Sequence, residues 1–215
     1  DGTVGVFMGD GRSYTMLASL TLEGGVSSLS LLGVGDDGAL HLLGGTTAAK
    51  VCELRLSTAG SAGRVVQECH AGVVRAVCYS ADSSDIFVTA CEDGGVRAWD
   101  ATSHRVLSAA SCQTRTALMP TCIAFTNDVI FTGWGDGRLR AHDAEDGKLL
   151  WIIDNAHQGG VTSMVLSHNG KFLCSGGEHG EVRVWELRTR QMVLHLKQHT
   201  MAVTCLQIAR DDEHL

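Results

Sequence analysis

Proline is almost missing from this 215-residue chain, which holds one, Pro120, so no Pro-rich linker divides it. No apolar run approaches the length of a membrane span, and no secretory leader is visible at the start. The chain has no basic run, and its formal net charge of −7 weighs against direct nucleic-acid binding. No CxxC pair exists among the eight cysteines, which argues against a zinc site and for free thiols in a reducing compartment. A phosphate-cradling glycine loop before a helix, a Gly-x-Ser-x-Gly elbow and any helix of useful length are all lacking. Acidic pairs such as Asp36–Asp37 and Asp211–Asp212 sit in polar stretches and read as solvated turns. What is plentiful is glycine, 26 residues, beside 44% apolar residues, the composition of a strand-and-turn protein.

The organising feature is a repeat. An Asp-Gly, or its replacement, stands six residues before an aromatic, or its replacement: Asp1 to Phe7, Asp93 to Trp99, Asp136 to His142 and His179 to Trp185. The last three aromatic positions are 43 residues apart, and a faded copy has Ala48–Ala49 for Asp-Gly and Leu54 for the aromatic. Repeats of this length ending in Trp-Asp mark propeller blades. Upstream, His70 precedes Trp99 by 29 residues and His157 precedes Trp185 by 28, and His199 opens a further unit. Thr89, Thr132 and Ser175 each lie four residues before the Asp position. Such a His, Ser/Thr, Asp and Trp can close one buried network within an antiparallel blade, satisfying polar groups that otherwise cost about 1–3 kcal/mol each. Because the set repeats, these residues read as structural and not as an active site.

Alternating apolar residues place inner strands after each His, at Val73–Ser80, Gly160–Ser167 and Ala202–Ala209. Second strands follow at Asp85–Cys91, Asp128–Trp134 and Lys171–Gly177. Third strands end in the aromatic, and the runs Arg105–Ala110, Lys148–Asp154 and Gln191–Lys197 are expected to supply the outer strand of the following blade. The fold class is therefore all-β: a β-propeller arc of about four complete blades with partial blades at both ends, expected to belong to a larger, double propeller. Residues 1–57 are expected to end one propeller and residues 58–215 to begin the next, at the "STAGSAG" stretch (Ser57 to Gly63); one continuous repeat region is the alternative. Cys78, Cys122 and Cys205 fall on inner strands and Cys91 and Cys174 on second strands, as packed thiols.

These marks resemble the WD-repeat family, through "VRAWD" (Val96 to Asp100) and "VRVWE" (Val182 to Glu186) with their upstream histidines. His70, Thr89, Asp93 and Trp99 match the family's full structural tetrad; Thr132 and Asp136, and His157, Ser175 and Trp185, match parts of it. Two units depart from the pattern, with Thr114 in the His position of one and His179 in the Asp position of the other. In the family, the loops entering the inner strand and those joining the second and third strands share one face. Here that face would present Arg75, Glu92, Trp134, Thr162 and Glu178 as candidate partner-binding residues. Trp134, between Gly133 and Gly135, is either an exposed anchor or packed between blades.

Beyond the repeat, the run from Gly133 to Met164 and the ending from Gly176 to Trp185 look like the cilia- and flagella-associated WD-repeat proteins that lie inside the B-tubule of doublet microtubules. The likeness departs at "SAASCQTRTALMPTCIAF", where Pro120 is displaced. It implies a non-catalytic structural scaffold that binds tubulin and other microtubule inner proteins from the lumen of the axonemal doublet. It implies no cofactor, no small-molecule substrate, and no nucleic-acid or membrane partner. A related centriole-wall WD-repeat protein is the neighbouring resemblance, and a soluble adaptor docking peptides for signalling or ubiquitin transfer is the reading from a different class.

Overall fold

Residues 2–9, 13–67, 70–80, 85–111, 119–126 and 128–209 are described by the structure, a computed structural model. Asp1, Thr114, Asp211–Asp212 and His214 lie outside them. Every regular element among the described residues is a strand.

Four sheets of four antiparallel strands follow one another along the chain. The first blade is β3 (Val26–Val34), β4 (Leu40–Thr46), β5 (Val51–Leu56) and β6 (Ala62–Gln67). The second is β7 (Val74–Tyr79), β8 (Ile86–Cys91), β9 (Gly95–Asp100) and β10 (Val106–Ser111). The third is β11 (Pro120–Phe125), β12 (Val129–Trp134), β13 (Leu139–Asp143) and β14 (Leu149–Ile153); the fourth is β15 (Val161–Leu166), β16 (Phe172–Gly177), β17 (Val182–Glu186) and β18 (Gln191–Leu196). A two-stranded hairpin, β1 (Thr3–Gly9) with β2 (Tyr14–Thr21), precedes them. The architecture is an open arc of propeller blades. Pro120 takes the first position of β11, where a missing ladder N–H is tolerated.

Two expectations are corrected. The apolar runs that follow the aromatic positions close the blade they leave and not the next one, since β10 pairs with β9, β14 with β13 and β18 with β17. A strand needs a neighbour, and the nearest free edge is the strand just completed. Residues Ala202–Ala209, expected to form an inner strand, carry no strand. Val203 nevertheless occupies the inner-strand place: its N–H donates to the Gly177 carbonyl at 3.2 Å, and its side chain fills the space a Cβ on Gly176 would take.

Burial lies between blades. Second strands are almost wholly buried, as in β8, β12 and β16. Trp99 packs with Leu43, Val51, Val74, Val77 and Phe87 between the first two blades, its ring stacked on Phe87 at 6.0 Å. Trp185 packs with Phe131, Leu139 and Leu173 between the last two. Each aromatic thus rests on the preceding blade, which is why the repeat has no core of its own and gains one by stacking. The hairpin covers the first blade through Val4, Val6 and Leu20 against Cys52, Leu54 and Leu56.

The expected junction at 57/58 falls in the turn between β5 and β6, and the two strands pair directly, Arg55 with Ala62. The first and second blades are also stitched by side chains. The Ser27 hydroxyl donates to the Val74 carbonyl, and the Val77 and Tyr79 N–H groups donate to Ser28 Oγ (3.0 Å) and Ser30 Oγ (3.2 Å).

Candidate functional site

The tight turn between second and third strands fixes the geometry of each blade. Gly137 takes φ 74° there, and a Cβ would collide with the carbonyls of His157 and Gly159, so glycine is required. In the first blade Ala49 holds the same left-handed conformation, φ 61°, without glycine's freedom.

The turn brings the second blade's four expected residues together. His70 Nε2 lies 2.8 Å from Thr89 Oγ1, and the Trp99 indole N–H donates to that same oxygen at 2.8 Å. Asp93 accepts from the Gly95 N–H at 2.7 Å and the Ala71 N–H at 3.3 Å, clamping turn and loop. It does not bond His70 directly, standing 3.8 Å from Nδ1, because the Arg97 guanidinium lies against that nitrogen. Burial, then the Arg97 charge, pushes the His70 imidazole down to about 4, so it is neutral near pH 7. Burial alone would raise Asp93, yet the backbone N–H groups and Arg97 hold it below the ordinary carboxyl range. His70, Cys91 and Asp93 also place three donor atoms within 4.8 Å of one another, but Arg97 already brings a positive charge to two of them.

The third and fourth blades keep this plan by substitution. In the fourth, His157 Nε2 lies 2.8 Å from Ser175 Oγ, and the Trp185 indole donates to it at 2.9 Å. His179 cannot supply the missing carboxylate, and Glu181, two residues on, does so, accepting from Arg183 at 2.7 Å. Arg183 also donates to the Ala156 and Asn155 carbonyls, tying the loop down. The substitution leaves His157 Nδ1 buried without a partner among the described residues. In the third blade Asp136 holds Arg140 at 2.7 Å, while His142, in the aromatic position, is buried with neither nitrogen bonded among the described residues.

Trp134 takes over there. It is 1% exposed, so the anchor reading is corrected: its indole donates to Thr132 Oγ1 at 2.7 Å, and the Arg140 guanidinium sits 4.6 Å over its ring. It packs on Ala90, Val96, Ala98 and Ala110 of the second blade, the inter-blade contact that Trp99 and Trp185 make in theirs. The Thr132 hydroxyl thus receives an indole from the end of its own strand, β12, in place of the one lost at His142.

Of the remaining candidate face, Arg75 and Glu92 form an ion pair with the Arg75 side chain half exposed. Glu178 is exposed on the fourth blade, its carboxylate over Gly159 and Gly160. Thr162 is occupied within the fold, since its hydroxyl lies between the Gly176 (3.1 Å) and Val203 (2.6 Å) carbonyls and bridges blade to following segment. Thr121 does the same between Gly133 (2.9 Å) and Val161 (2.5 Å). In each case the hydroxyl belongs to the extra residue of an inner-strand bulge; Ser27 and Arg75 hold the same register in the first two blades. The inner strands line a concavity of about 710 Å³. Cys205 is exposed, unlike Cys78, Cys122 and Cys174, whose thiols burial pushes up to about 12, 12 and 11.

The sequence reading missed Arg97, Arg140 and Arg183. Their signal was the repeat itself, an arginine two residues before every aromatic position at the 43-residue spacing. Glu181 and the bulge hydroxyls carried no comparable mark.

Comparison with known proteins agrees with this geometry. A family model described as "WD domain, G-beta repeat" matches residues 63–100, and one described as "Vps8 beta-propeller" matches residues 109–215. The chain is 30% identical over 204 residues to the human protein named cilia- and flagella-associated protein 52, covering 93% of this chain and 31% of that one. The pig protein of that name is 30% identical over 205 residues, 94% of this chain and 32% of it. The Chlamydomonas reinhardtii protein of that name is 31% identical over 217 residues, 96% of this chain and 34% of it. The chain thus spans about a third of the length of the curated relatives it matches. Four four-stranded blades, networks built on the repeat positions and these matches place the chain in the WD-repeat family of β-propeller proteins.

Proposed function

We propose that this chain is a non-catalytic structural scaffold of ciliary and flagellar doublet microtubules, binding tubulin and neighbouring inner proteins from the lumen. The observation that carries the reading is the reach of the similarity: 93–96% of the chain aligns with cilia- and flagella-associated relatives from human and Chlamydomonas. Rigidity supports it. Adjacent blades share apolar clusters and are bridged by Ser27 and Thr121, a construction suited to holding partners at fixed angles. Pairing of β5 with β6 and the serine stitches between β3 and β7 favour one continuous repeat region over a division at residue 57. The Arg75–Glu92 ion pair and the exposed Glu178 are what the candidate face offers a partner, and their mixed charges suit a polar protein surface.

The test is localisation of the tagged full-length protein in a ciliated cell, before and after detergent and high-salt extraction of axonemes. Retention along the doublets after salt is the expected result. Signal confined to centrioles would transfer the protein to the centriole wall, and a wholly soluble pool would overturn the scaffold reading.

A further inference from the structure

The outer rim of the arc repeats a feature that the inner networks do not use. In the second, third and fourth blades the outermost strand carries a β-bulge beside the aromatic position, between Ala98 and Trp99, Ala141 and His142, and Val184 and Trp185. The extra residue is aliphatic each time, Leu107, Leu150 and Val193, at a spacing of 43 residues. Each follows a second apolar residue, giving the pairs Val106–Leu107, Leu149–Leu150 and Met192–Val193, all between 44% and 54% exposed. This exposure does not arise from the end of the arc, because a following blade is present beside the first two pairs and leaves them as bare as the third. Edge strands are ordinarily blunted by charge, proline or shortness, and apolar side chains repeated outward run against that practice.

We infer that this rim is a docking surface for an acidic, amphipathic segment of another protein, which lies across successive blade edges. Side chains make the recognition, since each bulge interrupts the outer ladder and leaves no regular row of backbone groups for an added strand. Charge selects the partner. Although the whole chain carries −7, no Asp or Glu occurs from residue 187 to residue 209, while Arg188, Arg190, His195 and Lys197 flank the Met192–Val193 pair. Glu186, the last residue of β17, is engaged by the Thr189 hydroxyl at 2.5 Å; His195 and Lys197 reach Glu181 only at 3.8 Å, a carboxylate already held by Arg183. Arg190 lies 5.4 Å over the Trp151 ring of the neighbouring blade, which links the second and third apolar pairs by a cation. Aliphatic pairs at fixed intervals with cations at one end fit a segment with an apolar stripe and carboxylates toward the fourth blade. The inference stands apart from the ciliary reading and holds for any partner of that chemistry.

The test places a photo-reactive phenylalanine analogue at position 107, 150 or 193 of the full chain in ciliated cells, with exposed Thr102 as control. Crosslinked peptides are then sequenced. Expected is one protein captured from all three positions through a segment rich in carboxylates and apolar residues. The double variant Arg188→Glu, Arg190→Glu is expected to lower the yield at 193 by about tenfold through charge repulsion, while Arg188→Glu alone, which leaves the Arg190 contact with Trp151 in place, lowers it by about threefold with its unfolding midpoint unchanged. Yields no higher than at Thr102, a captured segment without carboxylates, capture of a second copy of this chain, or sedimentation of the purified chain with anionic phosphatidylserine vesicles in place of protein capture would each overturn the inference.

Discussion

Replacing Trp134 by alanine separates a blade-packing role from a surface one by stability alone. The indole is almost wholly buried among residues of two blades, so its removal deletes the largest side chain of that interface. Truncating a buried Trp costs about 3–5 kcal/mol, a large share of the roughly 5–15 kcal/mol that holds a typical domain folded. The loss also strips Thr132 Oγ1 of its indole donor. Trp134→Phe keeps most of the volume and removes the N–H, with an expected cost of about 1 kcal/mol; Thr132→Val strands the indole N–H and costs about 1–3 kcal/mol. In the double variant both partners are gone, so the two costs should fall short of additive by about 1 kcal/mol. Urea unfolding followed by circular dichroism reads all four, provided the slope of the transition is unchanged. A cost below about 1 kcal/mol for Trp134→Ala, as surface positions show, would refute the buried reading.

Two further predictions follow from the blade networks. Ala49→Gly relieves a left-handed alanine, worth about 1–2 kcal/mol, against an unfolded-state entropy cost of about 0.4–1 kcal/mol, so a net gain of about 0.5–1 kcal/mol is expected in the unfolding midpoint. A loss of stability would sink that argument. On acidification, His70 and His157 titrate near 4 in the folded chain, pushed down first by burial, and near 6.5 when unfolded. Above pH 6.5 neither state is protonated; as pH falls from 6.5 toward 4 the unfolded chain takes up protons first. Each histidine therefore removes about 1.4 kcal/mol per pH step in that window. Unfolding midpoints at pH 7.5, 6 and 5 should fall steadily, and His157→Gln should flatten the decline. An unaltered slope in that variant would show that the buried imidazole is not the cause.

The legible part of the molecule was what the repeat makes redundant. Spacing alone located His70, Thr89, Asp93 and Trp99, because a network needing four residue types in one register recurs, in whole or in part, through the second, third and fourth blades. Departures from the pattern were visible, but their remedies were not. Nothing at His179 indicates that Glu181 will replace the carboxylate, since the two are neighbours in a turn and only the path of Arg183 decides between them. Nothing at Gly133–Gly135 tells whether an indole turns outward or inward; the vacancy created by His142 on the next strand settles it, through contacts with another blade. Thr162 was misplaced for a related reason. A bulge re-aims the side chain it inserts, and bulges cannot be read from period-two alternation because they break it.

The two sets of bulges explain how one repeat can be both a building unit and a surface. On the inner strands the extra residue is a hydroxyl in three of four blades, and it binds a carbonyl of the adjoining blade or, for Thr162, of the segment that follows the fourth blade. The fourth case is Arg75, too long and too costly to bury as a bridge, which turns out to Glu92 and becomes a surface group. On the outer strands the extra residue has no adjoining blade to reach, so an aliphatic side chain there faces water. The same local irregularity therefore stabilises where a neighbour lies within hydrogen-bond reach and exposes where none does. Variation at inner bulges should act on the stiffness of the arc, while variation at outer bulges should act on what the arc holds, and exchanging Thr121 with Leu107 distinguishes them. Thr121→Leu is expected to cost about 1–3 kcal/mol, because the hydroxyl between two carbonyls is lost and a larger side chain is forced in. Leu107→Thr should stay within about 0.5 kcal/mol in the same unfolding assay, and equal costs at the two sites would refute the division.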